Sequence, residues 1–267
     1  MACLELLPAE AAAPRRIVSI NACADQLILA LADREQILAL THYARDPDMS
    51  FYADRAEGLP TIRGDAEEVL KLKPDLVLAG SFTRSATRAQ LAAQSIRIVT
   101  FSPARSIEDV KKHIREVASL VGQETRGDTL VAEIDAAFAN LRPSSRPLRA
   151  LQLQRRAFAA GTDTLIHDIM QRLGLVNAAT DLGIRYVGRT SLEAVLKAKP
   201  DVLILDSADP GAVDQGVALL SHPALEELVP RHRRIVIPSS QIVCASPGIA
   251  LAARTLRDAA ERILDEK

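Results

Sequence analysis

Residues 67 to 78 read EEVLKLKPDLVL, and residues 193 to 204 read EAVLKAKPDVLI, so the chain carries nearly the same sequence twice. In each copy, apolar residues recur at helical spacing, a Lys-Pro-Asp sequence follows, and a short Val/Leu/Ile run comes last. Proline ends a helix because the residue before it is forced out of the α region. A strand that is apolar on both faces needs helices above and below its sheet. The two copies therefore predict two similar α/β lobes.

The length of the chain agrees with this duplication. At 267 residues, the chain has the size at which one core tends to divide into two. The spacing between the copies far exceeds the ~20 to 50 residues of a solenoid repeat. Duplicated lobes therefore fit better than a repeat array.

Strands alternate with helices around both copies. Strands are predicted at residues 16–20, 37–40, 76–79, 96–101, 148–153 and 234–237. This alternation predicts parallel sheets with helices on both faces. A helical stripe over residues 126 to 141 comes before the break Arg142-Pro143-Ser144-Ser145. We therefore expect an N-terminal α/β lobe (15–122), a bridging helix (123–143) and a C-terminal α/β lobe (144–267), with a stiff ligand groove between the lobes.

Composition excludes several classes of protein. Thirty-three basic and 34 acidic residues give a net charge of −1, so bulk electrostatics offer no reason to expect a nucleic-acid or membrane-surface partner. No apolar run reaches the ~18 residues of a transmembrane helix. Aromatic residues make up only 3 % of the chain and there is no Trp. A binding site built mainly from stacked rings is therefore not expected.

Three cysteines, Cys3, Cys23 and Cys244, have no metal-finger spacing. An isolated cysteine is most often a small buried apolar residue, so we expect three free thiols. A Cys23–Cys244 pair, or contact of either with a ligand, is the alternative.

The N-terminal sequence MACLELLPAEAAAPRR is too short and too acidic for a complete secretory signal. Its Ala-rich part suits the region after a cleavage site, so we expect an export signal to be absent or trimmed. Lipidation at Cys3 is a weaker alternative.

Four stretches together resemble the helical-backbone family of periplasmic substrate-binding proteins of ABC importers, which carry iron-siderophore complexes, haem and cobalamin. These stretches are RIVSINACADQLILAL (16–31), LTHYARDP (40–47), the two Lys-Pro-Asp sequences and CASPGIALAARTL (244–256). The resemblance extends from Arg16 to about Leu264. It implies two lobes joined by a single long helix, with the ligand held in the groove between them. It also implies a periplasmic monomer that delivers its ligand to an ABC permease dimer and holds no covalent cofactor.

The resemblance gives a docking role to one acidic residue on each lobe. Glu67 and Glu193 occupy the matching positions, just before the Lys-Pro-Asp sequences, and would pair with arginines of the two permease subunits. The alternative is purely structural, since a glutamate in the first turn of a helix is stabilised by the helix dipole.

Ligands of parallel α/β lobes contact the loops at the carboxyl ends of strands. This rule and the resemblance select the candidate ligand-binding residues Asn21, Cys23, His42, Tyr43, Arg45, Arg63, Ser81, Phe82, Arg84, Asp163, Tyr186, Arg189, Gln241 and Cys244. The arginines, together with Arg185, suit the carboxylates of siderophores or haem propionates, and we expect about two of the five to face the ligand. His42 with Tyr43 is a candidate pair for haem iron. No Cys/His/Asp/Glu spacing predicts a bare metal site.

The leading hypothesis is a non-catalytic receptor for a metal chelate. Among ligands, the arginines favour an anionic iron chelate first, a corrinoid second and haem third, because the absence of Trp disfavours large flat macrocycles. The alternatives are a metal- or cofactor-dependent enzyme on a two-lobed scaffold and a cytosolic regulatory domain. The enzyme is disfavoured because the nucleotide-binding, nucleophile-elbow and zinc-protease motifs are missing.

Overall fold

The computed structural model describes residues 13–206 and 219–266. The first half of the chain forms β1 (Ile17–Ser19), α1 (Ala22–Leu31), β2 (Ile37–Thr41), β3 (Thr61–Ile62), α2 (Ala66–Lys71), β4 (Leu76–Gly80), α3 (Ser85–Ala93), β5 (Arg97–Phe101) and α4 (Ile107–Val121). Its sheet has the strand order β3-β2-β1-β4-β5, and every neighbouring pair is parallel. The expectation of a parallel sheet is confirmed for this lobe.

The second half begins after α5 (Glu124–Ala139). It forms β6 (Arg149–Gln154), β7 (Phe158–Ala160), α6 (Leu165–Arg172), β8 (Val176–Asn177), β9 (Val187–Arg189), α7 (Leu192–Ala198), β10 (Val202–Leu205), α8 (Pro223–Leu228), β11 (Arg234–Val236), α9 (Ser239–Ile242) and α10 (Gly248–Asp265). The strand order is β11-β10-β6-β7-β9, and β8 pairs with β6. Of the helix predicted near 217–228, only Pro223–Leu228 is helical (α8), residues 219–222 form a turn, and residues 207–218 lie outside the described ranges.

One edge of the second sheet departs from the parallel plan. Strand β7 runs antiparallel to both β6 and β9. The turn between β6 and β7 places two consecutive non-glycine residues, Arg156 and Ala157, at φ values of 60° and 59°. Hairpin turns of this kind are usually signalled by Asn-Gly or Asp-Gly. Because that signal is absent here, the sequence does not reveal the hairpin.

Both Lys-Pro-Asp sequences adopt the same local structure. Lys73 and Lys199 have φ values of 48° and 46°, a left-handed conformation that is unfavourable for a residue with a Cβ atom. The prolines that follow, Pro74 and Pro200, are both buried. The repeated sequence is therefore also a repeated structure, including its strained residue.

The aspartate that ends each Lys-Pro-Asp sequence joins two neighbouring strands. Asp75 accepts hydrogen bonds from the backbone N–H groups of Arg15 (2.8 Å) and Arg16 (3.1 Å). Asp201 accepts one from the N–H group of Arg149 (2.9 Å) and donates its own N–H to the Arg149 carbonyl (2.7 Å). Each carboxylate thus fixes the start of β4 or β10 beside the first strand of its own lobe.

A single apolar cluster connects the two halves of the molecule. It includes the almost fully buried side chains of Ile28 (α1), Ile114 (α4), Ile134 (α5), Ile169 (α6) and Leu256 (α10). The helix predicted at 126–141 is observed as α5, which packs on α4 and on α10. Relative motion of the lobes would expose part of this cluster to water, which is unfavourable. None of the helices within the described residues is both long and apolar enough to cross a membrane.

Candidate ligand-binding groove

Candidate residues of the first lobe lie in loops that follow adjacent strands. Asn21 comes after β1, His42 and Tyr43 after β2, and Ser81 and Phe82 after β4. Because β2, β1 and β4 are neighbours in a parallel sheet, their carboxyl ends lie along one edge. The fold therefore gathers these residues along one edge of the sheet, as the sequence predicted.

Asn21 has a defined structural role. Its side-chain oxygen accepts hydrogen bonds from the N–H groups of Cys23 (3.0 Å) and Ala24 (3.1 Å), which caps α1. Its carboxamide lies so close to Gly80 that a Cβ atom at Gly80 would collide with it. Asn21 is therefore the N-cap of α1, and its contact with a ligand stays a prediction.

Three aromatic side chains at candidate positions are exposed to solvent. The exposed fraction is 80 % for Phe82, 43 % for Tyr43 and 40 % for Tyr186. The rings of His42 and Tyr43 lie with their centroids 3.9 Å apart. These three rings are therefore available for contact with a ligand or partner.

The predicted arginines differ in what they can offer a ligand. The Arg45 guanidinium donates to the backbone carbonyl of Leu59, so part of its hydrogen-bonding capacity is used within the lobe. Three other arginines are exposed: Arg63 follows β3, Arg84 directly precedes α3, and Arg189 is the last residue of β9. Ser81 is also exposed, and its N–H donates to the Phe101 carbonyl (2.9 Å).

Cys23 and Cys244 form a disulfide, with their Cα atoms 4.9 Å apart. The expectation of free thiols is wrong for these two residues, and Cys3 lies outside the described ranges. Cys23 is in the first turn of α1, and Cys244 lies between α9 and α10, which follow β11. The bond therefore ties the loop after the first strand of one lobe to the loop after the last strand of the other. A separation of 221 residues hides this proximity in the sequence.

Gln241 lies three residues before the disulfide. Its side-chain oxygen is buried, and among the described residues no hydrogen-bond donor reaches it. A buried acceptor without a donor is unfavourable unless a ligand or water satisfies it. This observation supports the choice of Gln241 as a candidate ligand contact.

A polar contact joins the lobes beside β5. Arg105, in the loop after β5, donates from Nη1 to Oδ2 of Asp163 (2.9 Å) in the second lobe. Its guanidinium carbon lies 5.9 Å from the centroid of the Tyr186 ring. Asp163 was selected as a residue that follows a parallel strand, but β7 is antiparallel, so that reason is wrong. The contact with Arg105 nevertheless places Asp163 at the boundary between the lobes.

Several arginines at strand ends were missed by the sequence analysis. Arg105 follows β5, and Arg155 and Arg156 follow β6; all three are exposed. The same rule about carboxyl ends, applied to the predicted strands 96–101 and 148–153, selects these loops. The left-handed backbone of Arg156 adds a second signal, since such strain clusters at functional sites.

A buried carboxyl group supports the loop that carries His42 and Tyr43. Asp25 of α1 is fully buried and accepts hydrogen bonds from the hydroxyl and the N–H (3.2 Å) of Thr41, the last residue of β2. Burial raises the pKa of Asp25 to about 7, and hydrogen bonds with Ser19 and Thr41 offset part of this shift. Asp25 therefore fixes α1 against the end of β2 behind the candidate groove.

The two proposed docking glutamates occupy equivalent places. Glu67 is the second residue of α2, Glu193 is the second residue of α7, and both are exposed. Lys71, one turn after Glu67, forms an ion pair with it (2.8 Å) and lowers its pKa. The structural repeat therefore presents one carboxylate per lobe at the same position.

Two further features bear on the location of the site. A cavity of about 890 Å³ lies beside edge strand β5 and α4, lined in part by Pro14, Arg97 and Glu116, and it contains none of the candidate residues. Within residues 13–206 and 219–266, no group of three His, Cys, Asp or Glu side chains could hold a metal ion.

Two lobes that share a core, with exposed aromatic and basic side chains in the loops at the strand ends, are consistent with a two-lobed binding protein. The family described as "Periplasmic binding protein" matches residues 17–231, and the chain belongs to this family. The predicted family and the two-lobed α/β fold are confirmed. Because members of the family are binding proteins, the expectation that the chain is not an enzyme is confirmed as well.

Known relatives differ in the ligands that their names state. A cobalamin-binding protein of Halobacterium salinarum is 27 % identical over 72 % of this chain and 53 % of its own length, so the chain spans about half of that relative. The periplasmic heme-binding protein RhuT of Roseiflexus sp. RS-1 has a TM-score of 0.72 and 27 % identity, covering 92 % of this chain and 99 % of that one. An Fe3+-hydroxamate transport protein of Saccharomonospora viridis (TM-score 0.74, 22 % identity, 92 % and 93 % covered) shares the fold.

Replacing Asp25 with Asn should change the pH dependence of stability. Burial raises the pKa of Asp25 to about 7 in the folded protein from its ordinary value of 3.8, so the folded state binds one more proton than the unfolded state between these pH values. This contribution to stability is complete below pH ~4 and is lost as the pH rises through 7. Between pH 4 and pH 8 the Asn variant should gain up to about 4 kcal/mol relative to the wild type, measured by urea unfolding. Asp128→Asn, at an exposed site on α5, is the control; equal pH profiles for D25N and the wild type would contradict the prediction.

Removing the disulfide should lower the stability of the folded protein. Because the bond closes a very long loop, Cys23→Ser/Cys244→Ser should lower the unfolding free energy by about 2 to 5 kcal/mol in denaturant titrations. Cys3→Ser, which removes a cysteine outside this disulfide, is the matched control. Dithiothreitol should destabilise the wild type and leave the double variant unaffected. Equal stability of the double variant and the wild type without reductant would show that the bond constrains nothing.

Proposed function

We propose that the chain is the substrate-binding component of an ATP-driven importer, and that it captures a metal chelate between its lobes and delivers it unchanged to a membrane permease. Membership in the family of periplasmic binding proteins supports the receptor role. The observation that carries the ligand assignment is the exposure of Phe82, four-fifths of which lies in solvent beside the other candidate loops.

The distribution of aromatic residues bears on the class of ligand. The chain has 3 Tyr and 5 Phe, and three of these rings, Tyr43, Phe82 and Tyr186, are exposed at candidate positions. The low aromatic content is therefore no argument against a flat macrocycle, and the ligand ranking changes. A metal tetrapyrrole is the first candidate, supported by the cobalamin- and heme-binding relatives. A ferric carboxylate chelate, favoured by the arginines, is the second.

The remaining parts of the proposal concern location and assembly. The chain acts in the periplasm as a monomer, with lobes at 15–122 and 144–267 joined through 123–143. The disulfide supports an oxidising compartment, since such bonds persist mainly outside the cytosol. A substrate-binding lipoprotein of an ABC transporter of Bacillus subtilis, 24 % identical over 72 % of this chain and 63 % of its own length, supports export as well.

Binding of a chelate is tested by titration of the purified protein. Haemin, cyanocobalamin and ferric citrate are added in parallel, and binding is followed by calorimetry and absorbance. Phe82→Ala should lower the affinity for the probe that binds by about 10-fold or more, because burial of a Phe side chain contributes about 1.5 to 3 kcal/mol. Leu251→Ala, which removes another exposed apolar side chain on α10, should have no effect. Failure of the wild type to bind any of the three probes would refute the receptor proposal.

Docking to the permease is tested by charge reversal at both repeated glutamates. Glu67→Arg/Glu193→Arg should abolish uptake of the ligand by cells in which the variant replaces the native gene, because two attractive contacts become repulsive. The affinity of the purified variant for its ligand should stay unchanged. Glu35→Arg, at an exposed site before β2, is the control for a charge reversal elsewhere on the surface. Normal uptake by the double variant would show that these residues do not dock.

A further inference from the structure

We propose that Arg105 anchors an acidic group of the ligand, and that Asp163 from the opposite lobe occupies this anchor until the ligand arrives. The inference rests on the proposed function and adds a selectivity device to it. The contact joins a loop after β5 to the loop after β7, so it spans the two lobes at the edge of the groove.

Asp163 is held in place by its own backbone. The N–H groups of Gly161 and Asp163 donate to the carbonyls of Tyr186 and Arg185, each at 2.5 Å. A Cβ atom at Gly161 would collide with the Ile184 carbonyl, so the two loops are in close contact. The carboxylate is therefore presented to Arg105 by two loops that support each other.

The Arg105 side chain is less constrained. Slightly more than half of it is exposed, and its ion pair with Asp163 is the one polar contact of the guanidinium within the described residues. Exposed ion pairs of this kind contribute little to stability, so the contact is easily exchanged. A guanidinium has five N–H donors and can bind a carboxylate through two parallel hydrogen bonds. Asp163 uses one of them.

The local charge favours an anion. Arg185 also approaches the Asp163 carboxylate, with Nη2 3.9 Å from Oδ2, so two guanidinium groups surround one carboxylate. A carboxylate of the ligand would balance the excess positive charge, and the exposed Tyr186 ring beside Arg105 would cover an adjacent apolar part of the ligand. The side chain of Asp163 thus imitates the group that the site is built to receive.

Competition between Asp163 and the ligand sets selectivity. An anionic ligand displaces Asp163 and forms an ion pair with Arg105 in its place. A neutral ligand gains nothing from displacing it and leaves the ion pair intact. Removing the negative charge of Asp163 should therefore help anionic ligands and leave neutral ligands unaffected.

The test compares anionic and neutral probes on matched variants. Haemin and ferric citrate are the anionic probes; haemin dimethyl ester and cyanocobalamin are the probes without free carboxylates. Asp163→Asn should raise the affinity for an anionic probe about 3- to 10-fold, and Arg105→Gln should lower that affinity about 10-fold or more. Neither variant should change a neutral probe by more than about 2-fold. Asp128→Asn, which removes one negative charge from the exposed surface of α5, should leave all probes unchanged.

Each outcome separates the inference from the proposed function. Weaker binding of the anionic probe by D163N, or equal shifts for anionic and neutral probes, would overturn the inference while the receptor role stands. Binding of neutral probes alone by the wild type would overturn it as well. If the wild type binds none of the four probes, the proposed function is wrong and the inference is wrong with it. Correct folding of each variant is checked by circular dichroism and by urea unfolding, in which the midpoint should lie within about 1 M of the wild-type midpoint.

Discussion

Burial of one apolar cluster between the lobes is the constraint on which the rest of the structure depends. Helices α1, α4, α5, α6 and α10 share a continuous core, although each lobe also has a smaller apolar cluster of its own. Separating the lobes would expose this surface, and the cost scales with its area. The loops at the strand ends are therefore held at fixed positions relative to each other before any ligand is present. Preorganisation of this kind reduces the cost of ordering a site on binding.

Much of the fold could be predicted from the sequence because its signals are local. The duplicated Lys-Pro-Asp sequences fix two helix ends and two buried strands, and the structure adds that Asp75 and Asp201 make equivalent hydrogen bonds. The helix expected at 126–141 is present as α5. What the sequence concealed depends on contacts between distant residues or on strained backbone. The disulfide joins residues 221 positions apart, and the hairpin at Arg156 lacks the turn residues that usually announce one.

The candidate site shows the same division. Residues that follow a parallel strand, such as Asn21, Tyr43 and Phe82, could be selected by their place in the pattern alone. Arg105 satisfies the same rule, but its significance appears only when Asp163 is seen beside it. Composition was a poor guide to the aromatic character of the site, because a total of few rings does not say where those rings lie. The exposed fraction of each side chain, which sequence cannot supply, decides that question.

The bond between Cys23 and Cys244 makes nearly the entire chain a closed ring. The partner of Cys23 is synthesised only after most of the second lobe, so both lobes are largely complete before the ring can close. Once it is closed, a single cut in any loop between these residues yields two pieces that stay attached through sulfur. A proteolytic cut in an exposed loop would therefore leave the two lobes covalently joined.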